Sequence, residues 1–298
     1  MTSTTVIRIV HPSGPDKHVH LPERIRLLES RGFVVRHTPP IADPEWTFTS
    51  ASVTARTQIM ADALLEPDTH VIWAARGGYG ASDLLAHLPW DRLVGIPPKL
   101  VVGFSDTSAL HSALLTRLGW KGLHAPMPSS ELWGHDEDFS DIEQSLTCCR
   151  ASHPQGTIAI KESFHAPQFL SGWLFGGCAS VLTNLIGTPY FPPDLSGALL
   201  FWEDIGEPPP RVVRFFNQWE QSGSFAGVRG LVLGRFLPNN GKGSSTAGMI
   251  AAELSRRTRL PLFVSDDFGH CAPNRPLMVG SSATIKDGQL AWMKELVA

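Results

Sequence analysis

The sequence predicts an α/β protein with two domains: an N-terminal domain built on a parallel sheet and a C-terminal domain of mixed α/β structure. Three observations lead to this class. In the first half, short β-branched segments alternate with amphipathic segments of helical length, a pattern typical of βαβ units. The second half keeps the alternation with shorter strand segments. The chain of 298 residues also exceeds the usual length of a single domain.

The first half supplies strands and helices in turn. Its strand segments are rich in apolar and β-branched residues, and its helical segments end at helix breakers such as Gly32 and Pro67. We predict a strand at 6–10, a helix at 21–31, a strand at 33–36, a helix at 52–65, strands at 71–75 and 100–103, and a helix at 109–118. Such units form a parallel sheet covered by helices on both faces, and ligands bind at the carboxyl ends of its strands.

A polar segment punctuated by prolines, PMPSSELWGHDEDFSD, interrupts this pattern after Ala125. Its composition suits a crossover between domains. We therefore predict an N-terminal domain at 1–135, a linker at 136–165 and a C-terminal domain at 166–298.

The C-terminal part alternates again, with shorter elements. Gly187 ends the first helical segment there, and Pro208 to Pro210 force a change of direction between a strand and the next helix. We predict a helix at 177–186, a strand at 199–202, a helix at 211–221, a strand at 228–233, a helix at 246–259, and strands at 262–264 and 283–285.

Composition excludes several classes of protein. With 42% hydrophobic and 18% charged residues, the chain can build a core and is not a disordered protein. A net charge of −3 with scattered basic residues predicts no nucleic-acid partner. No apolar run approaches ~18 residues, so we expect no membrane partner. Four cysteines without C-x-x-C spacing fit a reducing compartment, and we expect a cytoplasmic protein.

The stretch VVGFSDTSAL places Ser105 where a buried strand gives way to a helix. A hydroxyl on such a turn lies at the carboxyl end of the sheet, beside the free N–H groups of a helix start. Those N–H groups can stabilise an oxyanion. The alternative is that Ser105, Asp106 or Thr107 only caps the helix, since all three residue types are preferred caps.

Two further clusters carry groups that could activate a serine. Glu203 and Asp204 end an apolar strand in LLFWEDIGEPPPR, and His270 lies in the loop of VSDDFGHCAPN. A histidine can take the serine proton, and a carboxylate on its other nitrogen fixes the tautomer. Ser105, Glu203 and His270 provide this set in the order serine, acid, histidine. The alternative is that both carboxylates point outward and cap the helix near Arg211.

The glycine loop RGGYG follows the strand that precedes the one leading to Ser105. Gly77 and Gly78 leave backbone N–H groups open to a substrate oxygen. Phosphate binding is the rival interpretation, but neither G-x-x-x-x-G-K-[ST] nor G-x-G-x-x-G spacing is present.

Other reactive side chains are secondary candidates. His18 and His20 have no third ligand nearby, so we expect no metal. Cys271 could be a thiol nucleophile, but its side chain and that of the adjacent His270 point apart. Arg76 could bind a substrate carboxylate through two parallel hydrogen bonds, or it braces its own loop.

Six segments stand in a defined order along the chain: AARGGYGASDLLAHLPW, VVGFSDTSAL, FGGCASVLTNLIGTPYFP, LLFWEDIGEPPPRVVRFFNQW, VLGRF and DDFGHCAPNRPLMVG. Together they resemble the LD-carboxypeptidases of peptidase family S66. The likeness runs from the first strand almost to the end of the chain.

The resemblance implies that Ser105 is the nucleophile, His270 the general base and Glu203 its acid partner. It implies an oxyanion hole made by the N–H of Asp106 and by a glycine of the RGGYG loop, with Gly78 preferred to Gly77. The resemblance further implies that the serine lies on the N-terminal domain and that the glutamate and histidine lie on the C-terminal domain.

The activity implied by the resemblance is hydrolysis of an L,D-peptide bond. Such an enzyme removes the terminal D-alanine from murein tetrapeptides in the cytoplasm during cell-wall recycling, cutting after the L-centre of diaminopimelate. We expect a small peptide substrate, no cofactor and a homodimer.

Two departures from the family pattern concern substrate placement. The family shows G-G-N where this chain has Cys178 after two glycines, and Leu-Pro-[ILV]-Gly where it has Leu-Met-Val-Gly at 277–280. Cys178 lacks an amide that would orient a loop or bind substrate.

Two alternatives stay open. The related microcin C immunity peptidases use a similar triad on acyl-sulfamoyl-adenylate or peptidyl-nucleotide substrates. A non-catalytic binding protein of the same fold would keep the crevice without activating Ser105.

Overall fold

The computed structural model arranges the strands in two sheets. It describes residues 4–15, 20–39, 48–130, 155–238 and 243–293, and the single positions 132, 133, 140, 142, 143 and 146. Helices and strands alternate through these ranges, so the predicted α/β class is confirmed. None of the described helices is long and apolar enough to cross a membrane.

The N-terminal sheet is parallel along its first five strands. These strands are β1 (Val6–Val10), β2 (Val34–His37), β3 (Val71–Ala74), β4 (Leu100–Gly103) and β5 (Gly122–His124). They lie in the order β5-β4-β3-β1-β2. Every residue of β3, β4 and β5 is buried, which is why these segments are continuous apolar runs instead of alternating ones.

Helices connect these strands. They are α1 (Leu21–Ser30), α2 (Val53–Leu65), α3 (Ala81–Leu84), α4 (Trp90–Leu93) and α5 (Ser108–Leu118). The start of α2 is capped by Ser52, whose hydroxyl accepts from the N–H of Ala55 at 3.3 Å. The end of α5 is a left-handed Gly119, as expected of a helix stop.

The second sheet is mixed. Its strands are β6 (Gln155–Ala159), β7 (Glu162–Phe164), β8 (Phe169–Cys178), β9 (Ala198–Ile205), β10 (Gly230–Leu237) and β11 (Leu262–Gly269), followed after β12 (Leu277–Val279) by β13 (Ser282–Lys286) and β14 (Gln289–Met293). The order is β6-β14-β13-β8-β9-β10-β11-β7, and the four adjacent strands β8, β9, β10 and β11 are parallel. β12 instead pairs antiparallel with β5 of the N-terminal sheet.

Helices α6 (Ala179–Thr183), α7 (Pro209–Gln221) and α8 (Ala247–Ser255) accompany the second sheet. The two sheets share one hydrophobic core that extends from Ile7 to Trp292. Within it, β12 and α5 both contact β8. The carboxyl ends of β3 and β4 on one sheet and of β9 and β11 on the other carry the candidate site residues.

Several predicted elements need correction. The helix predicted at 177–186 is wrong at its start, because its first two residues end strand β8, which pairs in parallel with β9 through Cys178. Only Ala179–Thr183 is helical. The strand at 283–285 is not the last, since β14 follows it. Strands β5, β6, β7, β8 and β12 were not predicted either, and of these β6, β7 and β12 pair with strands distant in sequence.

The predicted domain division at 1–135, 136–165 and 166–298 stays a prediction. Much of 136–154 lies outside the described residues, while β6 and β7 fall within 155–165 and belong to the second sheet. β12 shows that the C-terminal part of the chain also completes the N-terminal sheet.

Candidate active site

Ser105 lies on a tight turn between a buried strand and a buried helix. β4 ends at Gly103, and a 3₁₀ turn, Ser105–Thr107, leads directly into α5. Ser105 has a φ of +61°, a left-handed conformation that costs free energy in a residue other than glycine. Ser105 is partly exposed, whereas Thr107 is fully buried. Ser105 is therefore the partly exposed residue of an otherwise buried turn.

The interpretation of Ser105, Asp106 or Thr107 as a simple cap of this helix is wrong. Neither the 3₁₀ turn nor α5 has a side-chain hydrogen bond at its N-terminus. Asp106 instead accepts from the N–H of Ala81 at 2.8 Å, and burial raises the pKa of its carboxyl. The Asp106 side chain thus joins the serine turn to the helix that follows the glycine loop.

The glycine loop lies directly against Ser105. A methyl group at Gly77 would lie 3.0 Å from Cβ and 3.2 Å from Oγ of Ser105, so this approach requires glycine. Gly78 has a φ of +116°, and a methyl group there would lie 3.2 Å from Cα of Gly14. Among the described residues, no hydrogen bond uses the N–H of Gly78 or of Asp106. Of these two expected oxyanion donors, Gly78 is exposed and Asp106 is buried, and their role stays a prediction.

A buried arginine that the sequence analysis missed holds this loop in place. Arg56 on α2 is 2% exposed. Its Nη1 donates to the carbonyl oxygens of Pro12 at 2.6 Å and Gly80 at 2.7 Å. Its Nε donates to the carbonyl of Ala51 at 2.9 Å, and its Nη2 donates to Asp83 at 3.0 Å. In the sequence, Arg56 lies between Ala55 and Thr57 of the predicted helix, and nothing in that pattern distinguishes it from an exposed arginine.

Glu203 and His270 form a buried hydrogen-bonded pair. Nδ1 of His270 lies 2.5 Å from Oε2 of Glu203, and the two side chains are 11% and 0% exposed. Burial lowers the pKa of His270, but the charge and hydrogen bond of Glu203 outweigh burial and raise this pKa above its ordinary value. With Nδ1 occupied in this way, Nε2 is the nitrogen left to take a proton.

The alternative in which Glu203 and Asp204 point outward is wrong. Both carboxylates are buried. Asp204 accepts from the N–H of Ser180 at 2.8 Å, so it serves the start of α6. The helix near Arg211, α7, follows Pro208 and has no side-chain cap.

The histidine ring reaches the serine turn through Phe104, the residue before Ser105. The ring centroids of Phe104 and His270 lie 4.9 Å apart in an edge-on arrangement. In the described structure, no hydrogen bond links the Ser105 hydroxyl to His270. Catalytic hydrogen bonds are often long in free enzymes and tighten when substrate binds. The structure thus pairs Glu203 with His270 directly and places Ser105 next to a residue that contacts this pair.

A second buried histidine, also missed by the sequence analysis, lies behind the pair. His124 ends β5, and its Nε2 lies 3.9 Å from Oε1 of Glu203. The available signal was a histidine at the carboxyl end of a buried strand, in the sequence GLHAPM.

Two family models cover most of the chain. The model of the LD-carboxypeptidase N-terminal domain matches residues 7–125, and that of the LD-carboxypeptidase C-terminal domain matches residues 171–285. The Streptomyces coelicolor protein SCO6489 is 30% identical over 271 residues, which are 89% of this chain and 85% of that protein. The chain belongs to the LD-carboxypeptidase family. As a family member, it is a peptidase.

Other relatives of this LD-carboxypeptidase span nearly its whole length. The murein tetrapeptide carboxypeptidase of Pseudomonas aeruginosa is 27% identical and covers 96% of this chain and 94% of that protein. The crystal structure of muramoyltetrapeptide carboxypeptidase from Oxalobacter formigenes superposes with a TM-score of 0.81 at 29% identity, covering 97% and 98% of the two chains.

MccF in complex with glutamyl sulfamoyl guanosine superposes with a TM-score of 0.84, covering 100% of this chain and 98% of that one. Its identity is 19%, so the likeness shows a shared fold.

In this LD-carboxypeptidase, Cys178 stands beside Glu203 in the pairing of β8 with β9. Its N–H donates to Oγ of Ser108 at 3.0 Å, and its sulfur lies 3.5 Å from Oγ of Ser180. Burial raises the pKa of the thiol well above its usual value. Cys178 is a buried thiol that links the start of α5 to the start of α6.

The remaining candidates of this LD-carboxypeptidase have structural partners. Arg76 donates from Nη1 to the carbonyl of Pro15 at 2.5 Å and so braces its loop. The Cys271 sulfur lies 2.6 Å from Nη1 of Arg235, and burial raises its pKa, which disfavours a thiolate nucleophile. In the described ranges, no three side chains of metal-binding type converge. His18, like the neighbouring cysteines at 148–149, lies outside the described residues.

Proposed function

We propose that the protein is a serine LD-carboxypeptidase that releases the terminal D-alanine of murein tetrapeptides in cell-wall recycling. The observation that carries this proposal is the buried pair of His270 and Glu203 beside the turn that presents Ser105. The relatives from Pseudomonas aeruginosa and Oxalobacter formigenes, named for murein or muramoyl tetrapeptide cleavage, support the substrate.

The first half of the reaction forms an acyl-enzyme. His270 takes the hydroxyl proton of Ser105 on Nε2, and the serine oxygen attacks the carbonyl that precedes the terminal D-alanine. Glu203 accepts from Nδ1 of His270 and stabilises the imidazolium that forms. The N–H groups of Gly78 and Asp106 donate to the negative oxygen of the tetrahedral intermediate. The peptide C–N bond then breaks, and the amine of D-alanine leaves with the proton held by His270.

The second half regenerates the enzyme. A water molecule gives a proton to His270 and attacks the ester carbonyl on Ser105. The new tetrahedral intermediate breaks down to a free carboxylic acid on the shortened peptide. The proton on His270 returns to the Ser105 oxygen, so the cycle consumes one water and needs no cofactor.

The proposed setting follows the family resemblance. The enzyme acts on a small peptide in the cytoplasm as a homodimer, with neither nucleic acid nor membrane as a partner. Light scattering of the purified protein tests the dimer, and a monomer at working concentration would contradict that part of the proposal.

A nucleotide-conjugate hydrolase is the second candidate function. The superposition on MccF over the whole chain favours it, because the same backbone there holds an aminoacyl sulfamoyl nucleoside. Such an enzyme would use the same three side chains on a different substrate.

One paired assay separates these candidates. The purified protein is incubated with murein tetrapeptide and, in parallel, with glutamyl sulfamoyl adenosine, and the products are identified by mass spectrometry. We expect D-alanine and tripeptide from the first and an intact second compound. Cleavage of the sulfamoyl compound alone would replace the proposed function with the second candidate.

A further inference from the structure

Behind the proposed catalytic pair lies a buried histidine to which the mechanism assigns no role. The His124 ring is fully buried and lies between two aromatic rings, with centroid distances of 6.0 Å to Phe104 and 5.4 Å to Phe201. Both rings meet it edge-on. Phe104 also contacts His270. Phe104 therefore packs against both His124 and the proposed general base, His270.

Three buried polar atoms at this place have no hydrogen-bond partner in the described part of the chain. They are Nδ1 and Nε2 of His124 and Oε1 of Glu203. A buried polar atom left unpaired costs free energy, so such atoms are rare and need a reason. Two of the three face each other, because Nε2 of His124 lies 3.9 Å from Oε1 of Glu203. A movement of about 1 Å would turn this separation into an ordinary N–H···O hydrogen bond.

Burial, more than the neighbouring charges, keeps the His124 ring neutral. Burial and the nearby positive charge of His270 lower the pKa of His124 to about 3. His111 on α5 is equally buried, and its pKa is also lowered to about 3, so it adds no charge at neutral pH. At the end of β8, burial keeps the Cys178 thiol neutral by raising its pKa. The carboxyl group that faces the ring is that of Glu203, with Oε1 at 3.9 Å from Nε2 of His124.

A neutral imidazole is suited to this position. It carries one N–H, which can donate to a carboxylate, and it has no charge that would oppose the imidazolium formed on His270. With the proton on Nε2, the His124 ring faces Oε1 of Glu203 as a donor. Oε2 of the same carboxylate stays free to accept from His270.

We propose that His124 is a positioning residue: its Nε2–H donates to Oε1 of Glu203 in the working enzyme and holds the carboxylate in the orientation in which Oε2 accepts from His270. The inference rests on the proposed function, because it assigns a partner to the acid of that triad. His124 is fully buried behind Glu203, so it acts through the carboxylate and does not touch the substrate.

Two variants of similar size separate this role from simple packing. His124→Leu removes the donor, whereas His124→Gln keeps an N–H near the position of Nε2. We expect His124→Leu to lower kcat for D-alanine release by about tenfold to a hundredfold with KM nearly unchanged, since a misplaced catalytic group costs rate. We expect His124→Gln to restore kcat to within a few-fold of the unaltered enzyme. Equal activity of the two variants would overturn the proposal.

The pH profile supplies a readout that packing would not change. Glu203 raises the pKa of His270, and a donor on Oε1 offsets part of the negative charge that does so. Without this donor, His270 holds its proton more tightly. The acid limb of kcat/KM should therefore move to higher pH in His124→Leu and stay in place in His124→Gln. A fall in rate in His124→Leu without this movement would mean that His124 acts by packing only.

A measurement on the unaltered protein needs neither variant nor peptide substrate. Nitrogen-15 NMR of labelled histidines identifies the tautomer of each neutral ring. The proposal requires His124 to carry its proton on Nε2, and a proton on Nδ1 would overturn it. If murein tetrapeptide is not cleaved at all, the proposed function fails while this tautomer still reports on His124. If Ser105 is required but His124→Leu is fully active, only the inference about His124 fails.

Discussion

Ser105 occupies a backbone conformation that residues with a side chain seldom adopt. A left-handed φ in such a residue costs about 1–3 kcal/mol and persists only where the surroundings impose it. Here the surroundings are the buried strand β4, the buried start of α5 and Gly77, where a methyl group would lie 3.0 Å from Cβ of Ser105. The strain is therefore concentrated at the residue proposed to act as nucleophile.

Replacing Ser105 by alanine tests its proposed role as the nucleophile. Ser105→Ala should lower kcat for D-alanine release by about a millionfold, because the remaining groups bind substrate but form no acyl-enzyme. Substrate affinity, measured by calorimetry, should change little. Ser30→Ala, an exposed change at the end of α1, is the matched control and should keep full activity. Near-normal turnover by Ser105→Ala would exclude Ser105 as the nucleophile.

The pH dependence of the reaction should report His270. A general base must be neutral to accept a proton, and the pKa of His270 is raised above its ordinary value of 6.5. Activity should therefore rise with pH through a midpoint above 6.5 in a plot of kcat/KM. In Glu203→Gln, which removes the charge that raises this pKa, the midpoint should move to lower pH and kcat should fall. An unchanged midpoint would show that a group other than His270 controls the rise of kcat/KM with pH.

At the scale of elements, the site depends on how the glycine loop after β3 approaches the turn after β4. Both strands are buried and adjacent, so their carboxyl ends bring the two loops into contact. Arg56 fixes the loop from behind through backbone carbonyls on three separate segments. Arg56 therefore ties the end of this loop at Gly80 to Pro12 and Ala51.

A methyl group on this loop should impair chemistry more than folding. Gly77→Ala would place a carbon 3.2 Å from Oγ of Ser105 and displace either the serine or the loop. We expect kcat to fall by about a hundredfold to a thousandfold, as when an oxyanion donor is lost. The melting temperature should change little. Gly95→Asn, at an exposed glycine with φ of +81° and open space around it, is the control.

Arg56→Lys tests the support of the loop. Lysine keeps the charge but cannot donate to Pro12, Ala51 and Gly80 from one planar group. We expect a loss of about 2–4 kcal/mol in the free energy of unfolding, from several charge-assisted hydrogen bonds, together with a lower kcat. Urea unfolding followed by fluorescence measures the first effect. An unchanged free energy of unfolding would show that these hydrogen bonds of Arg56 are not needed to hold the loop.

Elements whose ends are set by local sequence signals could be predicted with nearly the right bounds. Strand β1 and strand β4 have the predicted bounds, and α2 begins at Val53, one residue after its predicted start, and ends at the predicted Leu65. The helix predicted at 177–186 failed because its first residues belong to β8, whose extended conformation is set by pairing with β9. Short strands such as β12 depend on partners far away in the chain, which no local pattern reveals.

The same limit applied to the site. Ser105, Glu203 and His270 could be selected from strand ends and residue chemistry, and their catalytic roles remain predictions. Arg56 and His124 were missed because the function of each depends on buried partners that the local sequence does not reveal. Their partners come from other elements: carbonyl groups for Arg56, and the carboxylate of Glu203 for His124.

Over the whole molecule, one core joins both sheets and carries the site at their contact. The acid and the histidine belong to strand ends of the second sheet, and the serine belongs to the first. Relative movement of the two sheets would therefore change the separation of Ser105 from His270 without breaking the pair of His270 and Glu203.

The buried histidines make the fold sensitive to acid. His111 and His124 have pKa values of about 3 in the folded protein because burial disfavours their charged forms, against an ordinary value of 6.5. As pH falls from 6.5 towards 3, the unfolded chain binds protons that the folded chain does not, so stability decreases. Urea unfolding at several pH values should show this decrease.

A substitution isolates the contribution of one histidine. His111→Met should lessen the decrease in unfolding free energy over this pH range, because one fewer buried histidine must be kept neutral. His87→Ala, at an exposed position, should leave the pH dependence as it is. Identical pH dependence in His111→Met and the unaltered protein would contradict burial of a neutral His111.

The central claim is that His270, held by Glu203, activates Ser105. The most direct test is the rate at which a fluorophosphonate labels the protein, with the modified residue located by peptide mass spectrometry. We predict a single adduct on Ser105 and a large loss of labelling rate in His270→Ala and in Glu203→Gln. An adduct on another residue, or labelling of Ser105 at an unchanged rate in His270→Ala, would contradict the account.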